Sequence, residues 1–321
     1  MNNLNITDLD TVRTGRSQNN TEYLQIALAV IFVMEILNVI IGLPVNCLAI
    51  CSLYRMIRAD IVVPIYIINL LIADLLQVIA RLVSLVIILF TVTLMNIQSI
   101  LIALAILISL MFCSLSASIG FMLCIALERY LVVAHPLWYR YRRNVRHTAL
   151  VSVGVWVLAA ILTAVLMPLL LILHLIKQII IILSVLFLLP FPLLLFFFFG
   201  TWRAIASATS VRDAEKRRIV RMLALVLGTY TVLFLPFCIV SFIMNYTINV
   251  NIFFAAIITT EMISLSVLVD PVLYILLRPA VRNTLDSPSC CQRLFTLTNC
   301  WTPRAEQETE DTATVSTVTT V

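Results

Sequence analysis

Charge is what this chain has least of. Only 12% of its 321 residues are charged, while 62% are hydrophobic and the mean hydropathy is +1.09. A soluble domain of this size does not need so much apolar surface, and a bilayer would solvate it instead. Glycine is scarce too, with six residues, and histidine scarcer, with three. So few glycines leave no Gly-rich phosphate loop. The histidines form neither a metal-ligand cluster nor part of a nucleophile–base set, so an enzyme is not expected. Of the eight cysteines, Cys47, Cys51, Cys113, Cys124 and Cys238 lie in apolar runs, and Cys290, Cys291 and Cys300 lie near the C-terminus. None falls in a segment that would lie outside a membrane. No extracellular disulfide is expected, and the first five are expected as buried small residues.

What the chain has in excess is long apolar runs. Seven can be counted, at roughly 24–53, 61–90, 98–132, 147–173, 178–206, 215–245 and 250–277. A helix needs ~20 apolar residues to cross a bilayer, and these runs are far longer than the ~10 alternating residues of a barrel strand. The fold class is therefore all-α, a seven-transmembrane helix bundle. The long third run spans with tilt and extends past the lipid. The first 22 residues are polar, so no cleavable signal peptide is expected, and the first span acts as its own insertion signal.

The few charges give the orientation. Sixteen of the 21 basic residues lie in the connections one–two, three–four and five–six or after the seventh run. The opposite side holds Arg13, Arg16 and Lys177, and Arg81 and Arg129 lie inside apolar runs. Cytoplasmic loops collect Lys and Arg, so the N-terminus is expected outside and the C-terminus inside. Because the basic residues follow topology and form no separate domain, nucleic acid is not an expected partner. They should face anionic membrane lipid or an acidic partner.

Four regions follow from this. Residues 1–23 form an external tail with glycosylation sequons at Asn5 and Asn19. Residues 24–277 form the membrane domain. Residues 278–291 start a short amphipathic helix on the membrane, with Cys290 and Cys291 either palmitoylated or plain reduced thiols. Residues 292–321 are a cytoplasmic tail, acidic and Thr-rich from Glu306 onward, that cannot bury a core and is expected to be disordered. Its hydroxyls suit a kinase, and through phosphorylation arrestin. Its final Thr319, Thr320 and Val321 have the form of a PDZ-type ligand.

Polar residues inside the apolar runs call for reasons. Asn46, Asp74 and Asp270 all fall well inside the bilayer by helical rise, facing other helices. A buried carboxylate needs a partner, a cation or a proton. Asp74, Asp270, Ser118 and Ser266 either hold a hydrated Na⁺ or leave an aspartic acid protonated and hydrogen-bonded to Asn46. Glu35, Arg81 and Glu261 lie higher, towards the outside. There Arg81 either pairs with Glu35 or Glu261, or stays free to anchor an anionic ligand. With His174 and Lys177, these are the candidate ligand-pocket residues. The third run ends in Glu128, Arg129 and Tyr130 before an Arg-rich loop, as an ordinary helix-end pair or as groups kept for a task. Prolines in or near the spans permit kinks.

Taken in order, these residues resemble the rhodopsin-like (class A) G-protein-coupled receptors over roughly residues 24–291. The first run carries Gly42-Leu43-Pro44-Val45-Asn46. The second carries Asn69-Leu70-Leu71-Ile72-Ala73-Asp74-Leu75. The third carries Glu128-Arg129-Tyr130, followed by Pro136 and Leu137. The fourth carries Trp156, the fifth Pro190 or Pro192, the sixth Phe234-Leu235-Pro236, and the seventh Asp270-Pro271-Val272-Leu273-Tyr274. The resemblance implies a plasma-membrane receptor that promotes guanine-nucleotide exchange on a heterotrimeric G protein. In it Glu128 holds Arg129, Leu137 plugs into the G protein and Tyr274 swings inward. Asp74, Ser118 and Asp270 form a sodium site, and no other cofactor is implied. The chain departs from the family with Leu104 where a disulfide cysteine is usual, Phe234 in place of tryptophan, and Phe198 near the usual tyrosine. Asp270 before Pro271 is similar to the branch holding purinergic, proton-sensing, lipid and Mas-related receptors. Just one histidine expected outside, His174, argues against proton sensing by a histidine cluster. The competing readings are a seven-helix ion transporter or channel, against which stands the lack of an internal repeat, and a signalling-silent decoy.

Overall fold

The computed structural model describes residues 6–58, 65–91, 97–135, 139, 145–173, 176–207, 213–247 and 249–277. These residues form helices α1 (Ile6–Arg58), α2 (Ile65–Thr91), α3 (Ile97–Ala134), α4 (Val145–Leu173), α5 (Ile176–Leu188), α6 (Pro190–Ser207), α7 (Asp213–Tyr246), α8 (Val250–Ser264) and α9 (Ser266–Leu277). No strand occurs among them. Seven stretches are long and apolar enough to cross a membrane: Gln25–Tyr54, Ile65–Leu89, Gln98–Ala134, Arg146–Leu169, Ile180–Ile205, Arg217–Tyr246 and Val250–Pro271. Each overlaps one of the seven apolar runs, so the all-helical seven-span architecture stands. The backbone of α1 continues upstream of its apolar run, back to Ile6.

The fifth and seventh spans are each built from two helices. In the fifth, Pro190 and Pro192 have no N–H for the carbonyls of Leu186 and Leu188, and the helix breaks at Leu189. The neighbouring carbonyl of Phe187 accepts the hydroxyl of Tyr230 from α7. In the seventh, the ladder tightens at Leu265, whose N–H reaches Met262 at 3.1 Å, and α9 starts at Ser266. Short breaks of this kind are tolerated in a bilayer where neighbouring helices supply the missing partners.

Helix α3 runs through the middle, against α2, α4, α6 and α7. Helix α1 closes the ring by packing on α2 and on both halves of the seventh span. The surface is apolar, with Leu150 69% and Ile40 63% exposed, while Asn46, Asp74, Ser114, Ser118, Ser184, Thr201 and Ser266 are fully buried. This inversion is expected of a bundle whose solvent is lipid, because polar groups then find partners only on one another. It also corrects one expectation. Cys47 and Cys51 are exposed, because the inward stripe of α1 is taken by Asn46, Ala49 and Leu53. Cys238 is buried, and Cys113 and Cys124 are partly so.

Two tight contacts fix the centre. Trp156 on α4 donates Nε1–H to Asn69 Oδ1 on α2 at 3.1 Å, and its ring meets Phe121 edge-on. Gly120 faces Val155 so closely that an added Cβ would lie 2.7 Å from Val155 Cγ1. Val is stiff at χ1 and cannot swing aside cheaply. Gly120→Ala should therefore lower stability by roughly 1–3 kcal/mol through overpacking. Thermal unfolding in detergent should show the loss, and Val155→Ala in the same chain should recover most of it.

Candidate functional site

Two helical stripes carry the polar residues into one seam. On α1, Glu35, Asn38, Gly42 and Asn46 recur at three- and four-residue steps, and so lie on one face. On α2, Asp74, Gln77 and Arg81 do the same. Gly42 lets the seam close: an added Cβ would come within 3.3 Å of Val78 on α2 and Leu268 on α9. The absence of a side chain brings Asn46 within reach of the seventh span.

At the deep end of the seam lie Asp74, Ser118 and Asp270, on α2, α3 and α9. Ser118 Oγ is 3.2 Å from Asp74 Oδ1 and 3.4 Å from Asp270 Oδ2. A hydroxyl has one proton, so it serves one carboxylate at a time. Two buried carboxylates around one hydroxyl repel each other unless a proton or a cation joins them. Asp74 Oδ2, Ser266 Oγ and Asn46 Oδ1 are buried without a hydrogen-bond partner among the described residues. The unpartnered atoms are all oxygens, the donor type that hard cations take. Asn46 does not satisfy either carboxylate. Its Nδ2 donates to the carbonyls of Gly42 at 3.0 Å and Val267 at 3.1 Å. The Val267 carbonyl is the one that Pro271, lacking an N–H, cannot serve.

Higher in the seam lie Glu35, Arg81 and Glu261. Arg81 pairs with Glu35 Oε1 at 2.5 Å and donates to Ser264 Oγ on α8 at 2.9 Å. The ion-pair reading of Arg81 is therefore the one the structure shows, with Glu35 as partner. Glu261, buried on α8, lies one turn before Ser264 and so on the helix face that meets Arg81. Asn38 and Gln77, which carried no signal beyond their stripe positions, are buried one turn along their helices from Glu35 and Arg81. Spacing of three from Glu35 and four from Arg81 was the only sequence signal for them.

At the far end of α3 the three residues separate. Glu128 Oε1 accepts the hydroxyl of Tyr139 at 2.7 Å and makes no ion pair with Arg129. Arg129 Nε is buried with no partner among the described residues. Tyr130 packs on Phe196, Phe197 and His135, and against Gly200, where a Cβ would lie 2.6 Å from its ring. Neither the Tyr139 contact nor the seat of Tyr130 was readable in the sequence, because both join distant segments. On α7, Phe234 is fully buried, stacked 4.5 Å from Tyr230 and edge-on to Phe187, two residues before Pro236.

Several expected site residues lie outside the described residues: Asn5, Leu137, His174, Cys290, Cys291, the 278–291 helix and Thr319–Val321. For Asn19, Lys177 and Tyr274 the helical backbone alone is described.

Residues 45–177, less than half of the chain but covering most of spans one to four, match the family described as 7 transmembrane receptor (rhodopsin family). The chain is also similar to G-protein coupled receptor 65 of Homo sapiens, 38% identical over 58 residues. That stretch is 18% of this chain and 17% of the relative. The seven spans make the chain a multi-pass membrane protein, and these matches make part of it similar to rhodopsin-like receptors.

The Asn46 contact is directly testable. Asn46→Ala should destabilise the bundle by about 1–3 kcal/mol, the cost of leaving the buried Val267 carbonyl unpaired. Adding Pro271→Ala restores an N–H four residues on. The double variant should unfold at a higher temperature than Asn46→Ala alone.

Proposed function

We propose that this chain is a G-protein-coupled receptor of the plasma membrane, which binds its ligand from outside or from the lipid and promotes guanine-nucleotide exchange on a heterotrimeric G protein. The observation that carries this reading is the Asp74–Ser118–Asp270 cluster. It is an under-satisfied polar centre at the junction of three helices, one of them broken at Leu265 and carrying Pro271. Such a centre has more than one way to be satisfied, and a receptor needs two arrangements of one bundle. Arg129, free of Glu128, is suited to meeting a partner at the basic end. The transporter reading would use the same carboxylates, but a transporter usually pairs its helix breaks across a repeat. Here the breaks, in spans five and seven, show no such repeat.

Na⁺ between Asp74 and Asp270 is the favoured neutralising ion, because every unpartnered atom around it is an oxygen. The Thr-rich tail would recruit a kinase and arrestin, and Thr319–Val321 a PDZ-type domain. These roles rest on sequence pattern.

Basal Gα dissociation in cells, compared between wild type and Arg129→Ala at matched surface level, tests the coupling. Loss of signal in the variant is expected, and an unchanged signal would remove Arg129 from that role. For the ion, Asp74→Asn should abolish stabilisation of the purified protein by NaCl over choline chloride. If the unmutated protein gains nothing from Na⁺, the ion assignment fails.

A further inference from the structure

The upper cluster contains more acid than base. Its one guanidinium is tied into the bundle: one nitrogen lies on Glu35 Oε1 and another on Ser264 Oγ, while Nε is buried with no partner among the described residues. Arg81 thus works as a cross-link between α1, α2 and α8. Against its single positive charge stand two carboxylates, Glu35 and Glu261. The second oxygen of each, Glu35 Oε2 and Glu261 Oε2, is buried with no hydrogen-bond partner among the described residues. Glu261 is itself only 6% exposed. A surplus carboxylate without a partner in such a place is costly, and a positive charge removes the cost.

A second observation is independent of the acids. Asn38 is 3% exposed, yet neither its Oδ1 nor its Nδ2 has a partner among the described residues, and Gln77, at 1%, leaves Nε2 unpaired among them. Buried amides are almost always satisfied, so two unsatisfied ones in one seam need an explanation. Asn38 sits one turn from Glu35 and one turn from Gly42, the residue that contacts α2 and α9. It therefore lies on the face of α1 turned into the seam. Gln77 sits one turn from Arg81 on the corresponding stripe of α2. The group thus offers two free acceptors for a cation and, next to them, amides that both donate and accept.

We propose that this cluster is a binding site for a monovalent cation, its positive group held by Glu35 Oε2 and Glu261 Oε2, with Asn38 and Gln77 contacting the remainder. The amides favour the ammonium of a small primary amine that carries a further hydrogen-bonding group; a bare alkali ion would use the carboxylates alone. The site deepens the receptor reading by naming the ligand class, and it rests on that reading only for its signalling consequence.

The test is binding to the full-length purified protein in nanodiscs, read by thermal unfolding, with no G protein present. Methylammonium, ethanolammonium and glycinamide are titrated at fixed chloride concentration. Sodium serves as the inorganic arm, and choline, which has no N–H, as the control. At ten times Kd an ammonium probe should raise Tm by roughly 2 °C. Glu261→Gln should abolish the shift and Glu261→Asp should retain part of it. Asp74→Asn should leave it intact, which separates this site from the deep one. A Na⁺ shift lost in Glu261→Gln with no ammonium shift supports the site with an alkali ion as its occupant. The proposal is overturned if no ammonium probe gives a saturable shift and Na⁺ gives none in Asp74→Asn, or if the ammonium shift survives Glu261→Gln. Failure of Gα dissociation alone would count against the receptor reading and leave this result standing.

Discussion

A bilayer offers no hydrogen bonds, so every polar atom inside this bundle must be satisfied by the bundle itself. The contact that depends most on this is the one from Asn46 to Val267. Pro271 removes the N–H that would have closed the helix on the Val267 carbonyl, and Asn46 supplies it from another helix. A defect in one span is thereby turned into a bond between two. Gly42 favours the bond, because an added Cβ there would lie 3.3 Å from the Val78 and Leu268 side chains, which would have to give by a few tenths of an ångström. In the fifth span the prolines leave the Leu186 and Leu188 carbonyls without a ladder N–H, and between them the Tyr230 hydroxyl donates to the buried Phe187 carbonyl. Prolines placed inside spans thus lie close to side-chain bonds that join the helices.

This explains what could and could not be read in advance. Seven long apolar runs have one solution in lipid, so the seven-span fold was legible from hydropathy alone. The deep cluster was legible as well, because Asp74 and Asp270 are conspicuous in apolar surroundings, and Ser118 lies where α3 passes them. Side-chain pairing was less so. Glu128 stands next to Arg129 in sequence, but residues i and i+1 point to different faces of a helix. Glu128 instead meets Tyr139, 11 residues on. Cys47 and Cys51 were misjudged for a related reason: an apolar run says that a residue is away from water, not whether it faces lipid or protein.

Asn38 and Gln77 mark the limit of such reading. A lone Asn or Gln in an apolar run is easily taken for a tolerated polar residue that bonds its own helix, as Asn69 does to Ile65. Only the structure shows that Asn38 has no partner at either end of its amide and that Gln77 leaves its nitrogen unpaired. Most of the unpartnered buried polar atoms among the described residues lie in the seam between α1, α2 and the seventh span. They are not scattered as random packing defects would be. A seam left under-satisfied along its length is suited to holding something more than protein atoms.

The two clusters share one mechanical element. Above the break at Leu265, Ser264 is held by Arg81. Below it, Val267 is held by Asn46, and Asp270 lies within reach of Ser118. The seventh span is thus fixed to α2 above its weakest point and to α1 and α3 below it. Any change in the charge balance of the Glu35–Arg81–Glu261 group acts on the upper anchor. The lower anchor then either follows or opens at Leu265, and in following it alters the distances around the two aspartates. Coupling between sites requires an element with two arrangements that both sites bias. A helix interrupted by one residue, bonded separately on each side and carrying a proline just below, meets that description. Its position between the outer acids and the deep aspartates gives each cluster a physical means of sensing the other.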